Sequence, residues 1–289
     1  MIAQLVLSGL SQGAIYALVA LAMTVLYRAT TVVNFGHGDM VMAGAFAVYV
    51  MVLYLGLPYM AAAPIALALM FAFGMAVDRG LIKPARHGPH IALAMMSIAV
   101  GYFLRGVARS LWGREVLPMP RVFDIPPIFL GDLVITGDAI VILGAVAVLV
   151  AAFFLVFYRT NVGKLIQAVY QTERGAALIG VNVARFHAVM WGVAAAMGAI
   201  GGILIAPVTL LYPDMGANLL IHSFAAMTLG GFGSLGGAIV GGLLLGISEQ
   251  LLGAYVSTAL IDVTAYIVII AVLVIRPVGL FGRQAVVKV

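Results

Sequence analysis

The residues able to do chemistry in this chain stand at breaks in otherwise apolar sequence. The first break reads Asn34-Phe35-Gly36-His37-Gly38-Asp39-Met40. Gly36 and Gly38 allow backbone angles that other residues resist, and a helix interrupted here leaves backbone N–H and C=O groups free. Membrane proteins tolerate such groups only inside protein or beside a cavity, and transporters build substrate sites from them. The plainer reading is a turn capping the next helix, with Asp39 in the first turn, where the helix dipole favours negative charge. The residues alone leave these two readings even. His37 and Asp39 lack further ligands at usable spacing, so no metal site is expected.

A second break runs Leu229-Gly230-Gly231-Phe232-Gly233-Ser234-Leu235-Gly236-Gly237, followed by Gly241, Gly242, Gly246 and then Glu249. Small residues from Gly237 to Gly246 favour close helix packing. The denser cluster at 230–237 points to a sharp turn or a re-entrant loop. The two breaks occupy similar places in the two halves of the chain, which hints at an internal repeat. A third stretch, Tyr158 to His187, holds Gly163-Lys164-Leu165-Ile166-Gln167-Ala168-Val169-Tyr170 and then Glu173, Arg174, Ala176, Ala177, Gly180 and Asn182. Leu165, Ile166 and Val169 fall on one side of a short helix. Such a helix, ended by glycine, docks in a partner's groove or lies on lipid, and the residues leave both open.

Other ionisable residues have plainer readings. Arg105 and Arg109 sit one turn apart near the end of an apolar run and read as snorkelling side chains. Glu249 and Asp262 flank an external turn, near water, and His222 reads as a lone, satisfied histidine. His87-Gly88-Pro89-His90 is too short a pattern for zinc. The chain has no cysteine, which excludes a disulfide framework and a thiol nucleophile. It has no G-x-x-x-x-G-K-[ST] phosphate loop, no H-E-x-x-H and no G-x-S-x-G. No catalytic residue, no cofactor and no ATP hydrolysis by the chain itself are expected. The spans also lack the row of carboxylates that a proton relay uses.

The elements that must position these breaks are membrane helices. Hydrophobic residues make up 64% of the 289 residues and charged residues 9%, with mean hydropathy +1.19. A soluble domain carries about 25% charged residues, so lipid must solvate much of this surface. A span needs about 20 apolar residues, and the runs near 4–27, 37–56, 59–77, 90–112, 138–157, 187–206, 218–233, 236–253 and 260–275 supply about eight or nine. They are too long and uniform for barrel strands. The expected fold is all-α: one polytopic transmembrane helical bundle over 1–289, with interrupted or re-entrant segments. The net charge of +5 reads as cytoplasmic anchoring rather than nucleic-acid binding. Basic loops at 78–90 and 158–187, and a tail with Arg276, Arg283 and Lys288, are expected inside. The segment 113–138, with Glu115, Asp124, Asp132 and Asp138, is expected outside. The result is about nine crossings, N-terminus out and C-terminus in.

In the same order along the chain, Asn34 to Met40, Asp78 to Arg86, Gly163 to Asn182, Leu229 to Gly246 and Arg276-Pro277-Val278-Gly279-Leu280-Phe281-Gly282 resemble the LivH-type permeases of branched-chain amino-acid ABC importers. One departure is Gly36, where the family more often has alanine. The resemblance implies a bacterial inner-membrane subunit working with a second, LivM-type permease, two cytoplasmic ATPase subunits and a periplasmic substrate-binding protein. It implies a substrate pathway near Asn34, Phe35, Gly36, His37, Gly38, Asp39, Gly230, Gly231 and Gly233. It also implies an ATPase-coupling helix in the 158–187 loop, carried by Gly163, Leu165, Ile166, Glu173, Ala176, Ala177 and Gly180. Relatives import urea, amides and aromatic acids as well, so the substrate does not carry over. The rival reading is an ion-coupled secondary transporter, which the missing relay and the coupling-like loop disfavour. A membrane-embedded enzyme would need a nucleophile or metal cluster that the sequence lacks.

Overall fold

A backbone in lipid satisfies its own polar groups only within helices or closed barrels, and helices dominate the computed structural model. It describes residues 1–282 except His87, Val122, Asp124 and Asp132; His87, the two aspartates, and Arg283 and Lys288 of the basic tail therefore lie outside the described residues. The long helices are α1 (Ile2–Thr30), α3 (Tyr59–Val77), α5 (His90–Trp112), α6 (Gly137–Arg159), α9 (Val183–Thr209) and α11 (Leu235–Tyr255). A π-helical turn (Asp78–Ile82) and α4 (Lys83–Ala85) extend α3. Among the described residues these give 6 stretches long and apolar enough to cross a membrane. The shorter helices α2 (His37–Leu53), α10 (Met215–Gly230) and α12 (Leu260–Ile275) lie between and after them, and α7 (Asn161–Gln171) and α8 (Glu173–Leu178) fill the basic loop.

Successive passages alternate between two ends of the bundle. One end gathers Arg28, Arg86, Tyr170, His187 and Gly233. At the other, Gln4 hydrogen-bonds both backbone groups of Val134, and Leu117 pairs with Leu211. The segment expected outside holds a small antiparallel hairpin of β1 (Ile128–Leu130) and β2 (Leu133–Ile135). It is the only sheet among the described residues.

Association between helices in lipid rests on packing rather than on expelling water, so small residues mark the contacts. Gly9 and Gly13 of α1 face Gly246 and Gly242 of α11; a Cβ on Gly13 would fall 2.7 Å from the Gly242 carbonyl oxygen. Gly241 packs on Ala226 and Gly237 on Gly230 of α10. The glycine stripe read from the sequence as close packing therefore has two partners, α1 and α10.

Two breaks of similar shape are present, but the second is not the glycine cluster singled out in the sequence. Helix α1 ends at Thr31 (φ 54) and α9 ends at Leu210 (φ 67), the only non-glycine residues with positive φ among those described. Each then leads through a non-helical stretch, 31–36 or 210–214, to a short helix that starts inside the bundle. Pro213, with its fixed φ, opens the turn at 213–214 that leads into the second short helix. The two short helices run antiparallel: Gly38 meets Gly216 backbone to backbone, while Phe35 meets Phe224 further along α10. The counterpart of the first break is thus 210–214. The cluster at 230–237 is a tight turn between α10 and α11, with φ 104 at Gly231 and 78 at Gly233, where Ser234 N–H bonds the Gly231 carbonyl at 3.0 Å. Glycine is required there because a Cβ resists positive φ.

Candidate functional site

The first break folds around its own polar side chains. The Asn34 amide oxygen accepts from Gly36 N–H at 3.0 Å, and Phe35 N–H donates to Ser97 Oγ of α5 at 3.0 Å. Asp39 accepts from Arg105 Nε at 2.9 Å and from Nη2 at 3.1 Å. A desolvated carboxylate needs a partner, and the start of α2 adds its own positive field. Arg105 therefore does not snorkel; it reaches across to α2 and also lies 3.8 Å from Asp214, which pairs with Arg109 as well. Both arginines read as snorkelling in the sequence because their partners are remote in the chain.

The residues expected to line a pathway are distributed unevenly. Asn34, His37 and Asp39 are buried, and Gly36 and Gly38 sit against backbone of α5 and α10. His37 packs against Gly198, and neither ring nitrogen has a partner among the described residues. Phe35 is half-buried and begins a row of aromatic rings: Phe224 at 5.9 Å, Phe232 at a further 5.7 Å, and Tyr27 at 5.7 Å beyond that. That row joins the first break to the 231–234 turn. Gly230 backs onto Gly237, Gly231 is covered by Val278 and Gly282 of the C-terminal segment, and Gly233 lines a cavity of about 350 Å³ with Arg28, Tyr158 and Tyr170.

A second polar cluster lies in the other half. His222 is not alone: its Nε2 faces Glu249 Oε1 at 3.3 Å, and its ring stacks on Tyr16 with centroids 5.0 Å apart. Glu249 is only 1% exposed, so it is not near water. His222 Nδ1 lies 2.6 Å from the Asn218 carbonyl; a carbonyl only accepts, so Nδ1 carries a hydrogen. Nε2 and Oε1 are close, but neither carboxylate oxygen of Glu249 has a hydrogen-bond partner among the described residues. A cavity of about 120 Å³ lined by Gln12, Tyr16, Tyr212, Asn218, His222 and Asp262 opens beside the pair. The sequence signal was an acid and a histidine in neighbouring apolar helices, each discounted separately.

The basic loop forms two capped helices. Thr160 and Thr172 hydroxyls accept from Gly163 and Gly175 N–H groups, the N-cap geometry that threonine favours. Gly163 abuts the Phe157 carbonyl, to which Gln167 also donates at 2.9 Å. Ile166 and Val169 are buried and Leu165 half-buried, all facing the bundle; Ala176 is buried too. Glu173 is exposed and approaches His187 Nε2 at 3.2 Å. The face turned outward is Ala177, Leu178, Ile179 and Gly180, with Leu178 88% and Ile179 75% exposed. Gly180 has φ 90 and ends the run. Leu178 and Ile179 were missed in the sequence because they follow the amphipathic stretch and read as its end.

Residues 5–275 match the family described as "Branched-chain amino acid transport system / permease component". The chain belongs to this family. Among curated relatives, the high-affinity branched-chain amino acid transport system permease protein LivH of Escherichia coli K12 is 29% identical, over 99% of this chain and 97% of its own. The high-affinity branched-chain amino acid permease protein BraD of Pseudomonas aeruginosa is 27% identical over the same shares. A probable LivH of Methanocaldococcus jannaschii is 26% identical, over 92% of this chain and 88% of its own. Among solved structures, a chain of PsaBC from Streptococcus pneumoniae in complex with Fab shares the fold, with TM-score 0.50 and 16% identity over 93% of this chain and 91% of that one. With its apolar helices, this permease is a multi-pass protein of the bacterial inner membrane.

Proposed function

We propose that this permease carries branched-chain amino acids, or a related small zwitterion, inward as one membrane subunit of an ABC importer. Its partners are a second permease subunit of LivM type, two cytoplasmic ATPase subunits and a periplasmic binding protein. The observation that carries the reading is the outward edge of α8. Two large aliphatic side chains, Leu178 and Ile179, stand exposed on the basic loop, on a chain with no ATP motif of its own. Uptake against a gradient needs energy, and that edge is where an ATPase subunit makes contact. The permease is a single domain, 1–289, and its coupling loop is 158–187. Gly163, Leu165, Ile166, Glu173, Ala176, Ala177 and Gly180 shape and brace that loop. The pathway follows the Phe35–Phe224 row to Gly233, with the second subunit closing the other side. Asn34, Gly36, His37, Gly38, Asp39, Gly230 and Gly231 hold that row in place.

The test is leucine uptake into vesicles holding the permease with its ATPase and binding-protein partners. Uptake should require ATP and survive ionophores that collapse proton and sodium gradients. Uptake driven by an ion gradient without ATP would instead establish the secondary-transporter reading.

A further inference from the structure

The cavity at Gly233 contains a cation that the transport reading leaves unused. Arg28 stands in the last turn of α1. An arginine there ordinarily serves the free carbonyls of the helix end. Here two of those carbonyls already have donors: Thr31 N–H bonds Tyr27 O at 2.8 Å, and Thr31 Oγ1 bonds Thr30 O at 2.7 Å. The guanidinium turns away instead. It lies over the Tyr170 ring of α7, 4.3 Å from the centroid, and 5.5 Å from the centroid of Phe157. Its Nε is buried without an acceptor, and among the described residues Arg28 has no carboxylate partner. A charge that is partly desolvated and unpaired is costly unless something pairs with it.

The void beside it has the complementary features of a binding site. A Cβ built on Gly233 would lie 3.6 Å from Tyr170 Oη and 3.8 Å from Arg28 Cγ, so the space over Gly233 is bounded by both side chains. The same cavity, about 350 Å³, reaches Tyr158, Ser234 and Gly236 at the start of α11. Ser234 Oγ accepts from Gly237 N–H at 3.1 Å, and Ala238 N–H bonds the Ser234 carbonyl. The N–H groups of Leu235 and Gly236 have no acceptor among the described residues. The start of a long helix supports negative charge, and phenol hydroxyls donate readily. A guanidinium, two phenols and a helix start around one void make a set of donors, and among the described residues no acidic side chain lines it.

We propose that this cavity binds a single oxyanion, the phosphodiester of a lipid headgroup or a free carboxylate. The anion would sit on Arg28 between Tyr170, Tyr158 and the first turn of α11. It would tie together α1, the coupling helix α7 and the turn that ends the aromatic row. An occupied site therefore braces the coupling loop against the bundle. The site requires no ATPase and no transport, so its failure and that of the importer reading are separable.

The experiment is phenylglyoxal modification of the full-length permease in dodecyl maltoside, followed residue by residue by mass spectrometry. The probes are dioctanoyl phosphatidylglycerol and, separately, leucine. An anion at about twice its Kd leaves about a third of the sites open, so Arg28 modification should slow about threefold. Exposed Arg79 should not change. Protection by the lipid identifies a phosphodiester source, and protection by leucine a free carboxylate; either supports the site. Unchanged Arg28 reactivity in both arms overturns it, as does equal slowing at Arg79. The protecting anion should also raise the melting temperature of the native chain, and Arg28→Gln should abolish that rise. A full rise in Arg28→Gln would show that Arg28 does not hold the anion.

Discussion

The two broken helices meet at their first residues, Gly38 and Gly216, yet they are fixed in different ways. At the start of α2 the holding charge is enclosed: the Asp39 side chain is 5% exposed and Arg105 16%. At the start of α10 it is open: Arg109 and Asp214 are 38% and 44% exposed. Tyr212 and Asn218 beside it border a cavity rather than packed chain. Similar backbone geometry thus yields a sealed joint in one half and an exposed one in the other. The lesson is that the breaks set the path of the chain, while burial sets how much each joint can give.

The largest expected effect separates the two joints directly. Asp39→Ala strands Arg105 in the bundle and should cost about 3–5 kcal/mol, the penalty for breaking a buried pair from one side. Asp214→Ala should cost about 1 kcal/mol or less, because solvent already screens its pair. Thermal unfolding of the purified variants measures both. Equal losses would mean that the joints are held alike. The double variant Asp39→Ala, Arg105→Leu should recover much of the loss, since no lone charge remains.

Next come the glycines. Gly38→Val drives a side chain into Gly216 backbone and should lower stability by about 1–3 kcal/mol through overpacking. Gly233→Val meets only ordinary contacts, at 3.6 Å and beyond, but demands a β-branched residue at φ 78. Its cost should be nearer the strain of about 1–2 kcal/mol, with lost transport as the further sign. A Gly38 variant with native melting and native uptake would show that the crossing is looser than its packing implies.

The smallest effect concerns the buried Glu249 beside His222. Neither of its carboxylate oxygens has a hydrogen-bond partner among the described residues, so Glu249→Leu, which removes both, should change stability by about 1 kcal/mol or less. A drop in thermal stability as large as that of the Gly38 variant would show that Glu249 holds His222 more firmly than its geometry implies.

How much of this was legible in sequence depends on whether a signal is local. Helices, their approximate bounds and the first break were readable because apolar length and Asn34-Phe35-Gly36-His37-Gly38-Asp39 are contiguous patterns. The break at 210–214 was not, because Leu210-Leu211-Tyr212-Pro213-Asp214 reads simply as an outer turn. Asp39–Arg105 and His222–Glu249 were invisible for a related reason: each pair joins separate helices, and each member alone has an innocuous explanation. The 158–187 loop was legible as one basic segment holding a short helix, but periodicity told only which residues share a face. Whether Leu165 and Ile166 face the bundle or a partner is decided by docking onto Phe157.

The outward edge of α8 carries the functional reading, and one measurement addresses it most directly. A photoreactive benzoylphenylalanine is placed at Ile179 or, as a control, at Ile166, and the assembled transporter is irradiated. Ile179 is 75% exposed and Ile166 7%, so only the former should cross-link to the ATPase subunit. A cross-link from Ile166, or none from Ile179 in a complex that still transports, would contradict the coupling role assigned to that edge.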